Sequence, residues 1–361
     1  MVERKTAQAA EASLSPRQYL VLYRLAQLGY ARREHLIRAC FRGVADPEKR
    51  FQAEIEPLIR PRGTRADASS LILEHEATKT LYLNRTGRNA LDSPPSVESR
   101  TPLGSSVEPE PAYFRRRDAD GRPIPYGLRA LPSERRASAD AKLDEYVGIA
   151  EVLSRFLELE GATLTTATDR FVIQRVEVSC KPTGVVFPLK ERKVELRPDG
   201  LILLYRRREN GERSVDWFYL EYEETSTPSK KLETLRRYAQ FYWTGQFQRS
   251  WNAEYRFVYD LPHEGEEEKP PKFKVLVVVE DGDGSGYLDG ILNEFRFRKD
   301  VGLDYRELGF PSDTMGAGQF LVCRRSALAQ AAHALSAVWL SGANHLQRRA
   351  GEPVRMVSCL G

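Results

Sequence analysis

At 361 residues and a formal net charge of +4, the chain is too long for one ordinary domain and too balanced in charge to be read from its total. A 41% hydrophobic share supplies real cores and excludes wholesale disorder, and no apolar run approaches the length that spans a bilayer. The distribution of charge says more: residues 1–137 hold 24 Lys and Arg against 17 Asp and Glu, the remainder 31 against 34. A basic amino-terminal third suggests a nucleic-acid-facing module joined to something else.

Residues 14–91 read as one small unit. Ser15-Pro16 offers a cap and a first helical proline, after which apolar residues recur at helical spacing from Tyr19 to Leu28 until Gly29 ends the run. A second helix is expected over residues 32–41, with Leu36, Ile37 and Cys40 facing the core and Arg32, Arg33 and Arg38 facing out. Asp46-Pro47 caps a third, expected over residues 47–59. A polar turn and two short strand-like runs, residues 70–73 and 79–83, follow. Three helices and a two-stranded ribbon make the winged-helix order, in which the third helix enters the major groove of DNA and the wing touches its backbone. The candidate contacts are Arg32, Arg33, Lys49, Arg50, Gln52, Arg62 and Arg65, in a cluster that also holds Arg38, Arg42 and Arg60. Charges of this kind attract phosphate whatever the sequence.

Residues 92–137 are rich in Pro, Ser and Arg, carry the triplet Arg115-Arg116-Arg117, and read as a linker. Residues 138–348 have the pattern of an α/β domain with a helical extension at its end. A helix is expected over 139–160 and strands over 163–166, 171–178, 194–205 and 216–223, the last two joined by a hairpin at Asn210-Gly211. A second helix over 229–243, a buried strand over 274–280, a helix over 287–297, a strand over 319–323 and an alanine-rich helix over 327–348 complete the chain. The four cysteines stand far apart without zinc spacing and read as reduced thiols. The start lacks the apolar core of a signal peptide, so a cytoplasmic protein with no membrane association is expected.

The chemistry-bearing residues lie between 196 and 242. Residues two apart on a strand share a face, so Trp217, Tyr219, Glu221 and Glu223 point one way and Phe218, Leu220 and Tyr222 the other. Asp199, in Pro198-Asp199-Gly200, stands at the turn of the neighbouring strand and can reach Glu221 and Glu223. Three carboxylates offer the hard oxygen ligands that Mg²⁺ or Mn²⁺ prefers, with Lys230 or Lys231 at the start of the next helix as the cation beside a phosphate. Glu145 or Glu151 on the domain's first helix would complete such a set. The five histidines and the segment Asp281-Gly282-Asp283-Gly284-Ser285-Gly286 match no ligand or phosphate motif.

Helix, Pro-Asp, hairpin, Glu-x-Glu, Lys-bearing helix and buried strand follow one another as in the PD-(D/E)xK nuclease core, a restriction-endonuclease-like α/β (α+β) fold with a mixed central sheet. The winged helix from Leu14 to Gly87, Arg197-Pro198-Asp199 and Leu220-Glu221-Tyr222-Glu223-Glu224-Thr225 with Tyr238 together resemble the replication-relaxation proteins of plasmids and integrative elements, over roughly residues 14–243. The resemblance implies a DNA-binding protein acting in replication, mobilisation or maintenance of the element, either a metal-dependent endonuclease or an inactive nuclease-fold regulator. A homodimer or a replication or mobilisation protein is the expected protein partner. Two positions depart from the pattern: the helix lysine expected four residues before Tyr238 is Thr234, and the third-strand lysine of the nuclease core is Glu223.

Overall fold

The computed structural model describes residues 14–61, 70–91, 142–165, 170–182, 184–189, 192–223, 234, 237, 238, 240–242, 244–250, 273–280, 320–341 and 353–355. Helix α1 (Pro16–Leu28) starts at a reciprocal cap: Ser15 Oγ accepts from the Gln18 N–H at 3.2 Å and Gln18 Oε1 from the Ser15 N–H at 2.9 Å. It stops at Gly29, whose φ of +73° is a conformation that side-chain-bearing residues avoid. Helices α2 (Arg33–Cys40) and α3 (Pro47–Glu54) follow. The third helix is shorter than the expected run to residue 59. Pro57 has no N–H to continue the ladder, so the chain tightens into a 3-10 turn (Glu56–Leu58) and leaves as strand β1 (Ile59–Pro61).

Strand β1 pairs parallel with β2 (Ile72–His75), and β2 pairs antiparallel with β3 (Thr80–Leu83). Asn84 caps the short helix α4 (Arg85–Ala90) by accepting from the Gly87 N–H at 2.7 Å.

Helix α5 (Leu143–Leu157) opens the second part of the chain. Strands β4 (Thr163–Thr165) and β5 (Arg170–Cys180) follow, then the hairpin β6 (Val185–Leu189) and β7 (Arg192–Leu196), which forms its own two-stranded sheet. The expected strand over 194–205 is therefore two: Pro198-Asp199 separates β7 from β8 (Gly200–Arg208). The hairpin to β9 (Arg213–Glu223) turns at Gly211, φ +86°. Thr234, Arg237, Tyr238, Gln240, Phe241 and Tyr242 are helical, and helix α6 (Gln246–Ser250) comes next. Strands β10 (Lys274–Val279) and β11 (Phe320–Arg324), helix α7 (Arg325–Gln330), β12 (Val338–Ser341) and β13 (Pro353–Arg355) complete the described chain. The linker at 92–137 and the helix expected over 287–297 lie outside the described residues.

The result is a mixed α/β protein with an eight-stranded sheet in the order β13-β12-β11-β10-β9-β8-β5-β4. Strands β9, β10 and β11 run parallel and every other neighbouring pair runs antiparallel. Strand β10 is covered on both faces. Leu276 and Val278 join the apolar layer that holds α1 and α5, while Val275, Val277 and Val279 join a second layer with Tyr238, Phe241 and Phe247. The helix expected over 327–348 is helical only to Gln330 among the described residues. After Gln330 the chain extends at Ala331 (ψ 149°), makes a 3-10 turn and runs as β12. Two interactions favour that route: Leu340 and Ser341 pair with β11, and the buried Trp339 donates its indole N–H to the Ala334 carbonyl at 3.2 Å.

One apolar cluster runs from Tyr19 and Leu36 through Phe156 and Leu220 to Trp339, so the amino-terminal helices pack directly on the sheet and on α5. A buried polar seam lies within it. Arg24 bonds Gln27 Oε1 (2.8 Å), the Val176 carbonyl (3.0 Å) and Glu160 Oε2 (2.8 Å), and the Tyr23 hydroxyl donates to Glu177 Oε2 at 3.0 Å. His35, also buried in this unit, accepts from the Arg32 N–H through Nδ1 at 3.3 Å. Burial, then Arg38, Arg32 and Arg325, pushes its pKa down to about 3.

The sign follows directly. Below the ordinary value near 6.5 the unfolded chain takes up a proton that the folded one refuses, so His35 costs about 1.4 kcal/mol per pH unit as pH falls from there towards 3. Glu177, whose pKa burial raises, acts in the opposite sense over its own window. The comparison of wild type with His35→Gln therefore isolates the histidine. Urea midpoints at pH 7.5 and 5.5 are expected to fall less in the variant; equal losses in both proteins reject the assignment.

Candidate functional site

Asp199 is fixed by its main chain before its side chain is considered. Its N–H donates to the Leu220 carbonyl at 3.0 Å, and its own carbonyl accepts from the Lys181 N–H at 2.8 Å. Register places Gly200 opposite Leu220, so Asp199 comes to stand beside Glu221 at the same end of the β8–β9 pair. Asp199 Oδ2 accepts from the Tyr222 N–H at 2.8 Å, while Oδ1 is held by the Lys181 ammonium, which also grips Glu145. Burial alone would lower the Lys181 pKa, but Asp199 and Glu145 outweigh it and hold the ammonium above its ordinary value.

The expected alternation along β9 holds. Trp217 and Tyr219 lie in one apolar layer, and Phe218, Leu220 and Tyr222 in the other. Glu221 is buried, and one of its oxygens accepts from the Tyr238 hydroxyl. Burial, then the Glu221 charge, pushes that phenol well above its usual range, so Tyr238 is the donor. Glu223, buried at the strand's end, accepts from the Glu280 N–H through its carbonyl at 3.1 Å.

On the opposite face the Tyr222 hydroxyl bonds Glu280. Arg325 Nη1 reaches Glu280 at 2.6 Å and Arg325 Nε reaches Glu151 at 2.9 Å. The two helix carboxylates thus have different partners: Glu145 joins Asp199 through Lys181, and Glu151 joins Glu280 through Arg325.

Sequence reasoning missed Lys181, Glu280 and Arg325. Lys181 sits in Cys180-Lys181-Pro182, where a lysine beside a turn proline reads as a solvated charge. Nothing local marks its φ of +46° or its reach to α5. Lys230 and Lys231 lie outside the described residues. Among the described residues, no group of three or more His, Cys, Asp and Glu side chains is placed to hold a metal ion. The donor chemistry of Asp199 and Glu221 nonetheless fits a hard divalent ion, with Glu223 on the same strand.

The expected DNA contacts divide. Lys49, Arg50 and Gln52 project outward from α3, and Arg50 reaches Glu54 only at 3.5 Å. Arg32 stands 3.9 Å from Glu34, and Arg33 lies between Glu56 (3.2 Å) and Glu74 (3.1 Å). Arg62 and Arg65 lie outside the described residues. Arg38 does not face out: it binds Glu158 at 2.9 Å and Ser154 at 3.2 Å, and Arg42 caps the carbonyls of Glu158 and Glu160. The carboxyl end of α5, with its partial negative charge, holds both guanidinium groups, and Arg42 stays exposed there.

Cys40, Cys180 and Cys323 are buried and form no disulfide among the described residues, with burial pushing the first two thiols up to about 12. Among the described residues no helix is long and apolar enough to cross a membrane. No protein-family model, curated protein or solved structure matches the chain.

Proposed function

We propose that the protein is a DNA-binding protein of a plasmid or other mobile element, with a nuclease-type core for metal-dependent phosphodiester cleavage. The observation that carries this reading is the register that sets Asp199 beside Glu221 at one end of the β8–β9 pair, with the Tyr238 hydroxyl on Glu221. Those three residues belong to the motifs that resemble the replication-relaxation proteins. Support for a winged helix comes from α1, α2 and α3 followed by the antiparallel β2–β3 pair, and from the outward Lys49, Arg50 and Gln52. Phosphate contact from such a surface positions DNA without reading its sequence.

Asp199 and Glu221, with Glu223, are the residues that would hold Mg²⁺ or Mn²⁺. When bound, such an ion supplies an activated water and neutralises charge on the phosphate. The chain's own contribution is orientation: the Tyr222 N–H fixes Asp199 Oδ2, and the Tyr238 hydroxyl fixes Glu221. A second reading, DNA binding without cleavage, is favoured by Lys181 on Asp199 Oδ1 and by Glu223 where the core's lysine is expected.

Supercoiled plasmid incubated with the protein and Mg²⁺ or Mn²⁺ separates the two. Under the first reading it is nicked or linearised, and Asp199→Asn and Glu221→Gln each slow the reaction by about 100-fold or more, at least the loss that follows removal of an outer-shell partner. Cleavage that survives both substitutions together rejects the site. Salt-dependent DNA binding without cleavage selects the second reading.

A further inference from the structure

Lys181 is held to Asp199 twice, by its main-chain N–H on the Asp199 carbonyl at 2.8 Å and by its ammonium on Oδ1. It leaves β5 in a left-handed conformation, φ +46°, which an L side chain adopts only when the surroundings demand it. That turn brings the ammonium between Glu145 of α5 and Asp199, with the Tyr146 ring 5.8 Å away. The three charged side chains are neither sealed nor free: Lys181 is 28% exposed, Glu145 24% and Asp199 14%. Asp199 Oδ2 accepts from the Tyr222 N–H, and Oδ1 is the oxygen that the Lys181 ammonium holds.

We propose that Lys181 is a positioning residue of the carboxylate site, a tethered cation that holds Oδ1 of Asp199 and competes with a divalent ion for that carboxylate. The proposal rests on the functional reading above and deepens it. It identifies the regulation of the site as displacement of an internal ammonium, for which Glu145 is the alternative resting partner. A lysine that moves from Asp199 to Glu145 alone keeps one ion pair and frees Oδ1, so the exchange does not strand a charge.

The test is Mn²⁺ binding by titration calorimetry, without DNA, on wild type, Lys181→Gln, Lys181→Arg and Asp199→Asn. Lys181→Gln is expected to bind Mn²⁺ about tenfold or more tightly than wild type, within the range by which neighbours of a ligand tune affinity. Lys181→Arg, which keeps the competing charge, should stay near wild type, and Asp199→Asn should lose binding. Circular dichroism and a larger Mn²⁺-induced rise in Tm for Lys181→Gln guard against a merely unfolded variant. If wild type and Lys181→Gln bind equally and Asp199→Asn abolishes both, the competition is rejected while the metal site stands. If neither protein binds Mn²⁺, the metal site and the competition fall together.

Discussion

Arg24→Ala is expected to lower stability by about 3–5 kcal/mol, the usual consequence of removing one partner from a buried charged network. Arg24 is only 2% exposed, and its guanidinium satisfies Gln27, the Val176 carbonyl and Glu160 together. It also helps to offset the burial that raises the Glu177 pKa. Truncation leaves a carbonyl and an acidic pair without that compensation in the middle of the shared core. The more informative outcome concerns cooperativity. All four tryptophans lie beyond residue 216, and the two described ones, Trp217 and Trp339, are buried against the sheet. Arg24 is in α1. If the helices and the sheet unfold as one body, urea denaturation followed by tryptophan fluorescence and by far-ultraviolet circular dichroism will shift by the same amount. A fluorescence midpoint unmoved by Arg24→Ala would mean that the amino-terminal unit unfolds on its own and that the seam does not couple the two. Arg24→Met combined with Glu177→Gln, which removes charge from both sides, should recover part of the loss.

Local signals made part of the structure legible in the sequence, and dependence on distant partners hid the rest. Signals carried by a few adjacent residues were read well. Ser15-Pro16 and Gly29 bounded α1, Asn210-Gly211 turned the β8–β9 hairpin, and the valine-rich run became the central β10. The face of β9 that carries Glu221 followed from its period of two. Signals that depend on distant partners were misread. Alanine-rich sequence after Arg325 favours helix locally, yet pairing with β11 and burial of Trp339 pull residues 338–341 into the sheet. Arg38, expected to face out, is instead held by Glu158 and Ser154 of the segment around the end of α5. The candidate site divides in the same way. Asp199 and Glu221 could be paired from hairpin register, whereas the cation beside them comes from the end of β5, through a left-handed residue that no motif announces.

Gly148→Val tests whether α5 sets the geometry behind that site. A β-carbon at position 148 would lie 2.2 Å from both the hydroxyl oxygen and the ζ-carbon of Tyr222, far inside van der Waals contact. Glycine in the middle of a helix costs about 1 kcal/mol relative to alanine, so helix propensity alone predicts a gain on substitution. The clash decides otherwise. The Tyr222 ring lies buried beneath α5, and its hydroxyl is fixed by Glu280, which Arg325 also holds. Either the ring swings out and breaks that network, or α5 lifts from β9 and loosens the cluster of Leu153, Phe156 and Leu220. Overpacking of this kind costs about 1–3 kcal/mol, and a branched side chain belongs at the upper end. The effect should reach the carboxylates as well, because the Tyr222 main chain orients Asp199 Oδ2 and α5 carries Glu145. A double-mutant cycle separates the two consequences. Tyr222→Leu removes the ring that the new methyl groups strike, so Gly148→Val with Tyr222→Leu should be more stable than the sum of the single losses predicts, by about 1 kcal/mol or more. Strict additivity in chemical denaturation would show that the valine is harmful for a reason other than contact with Tyr222.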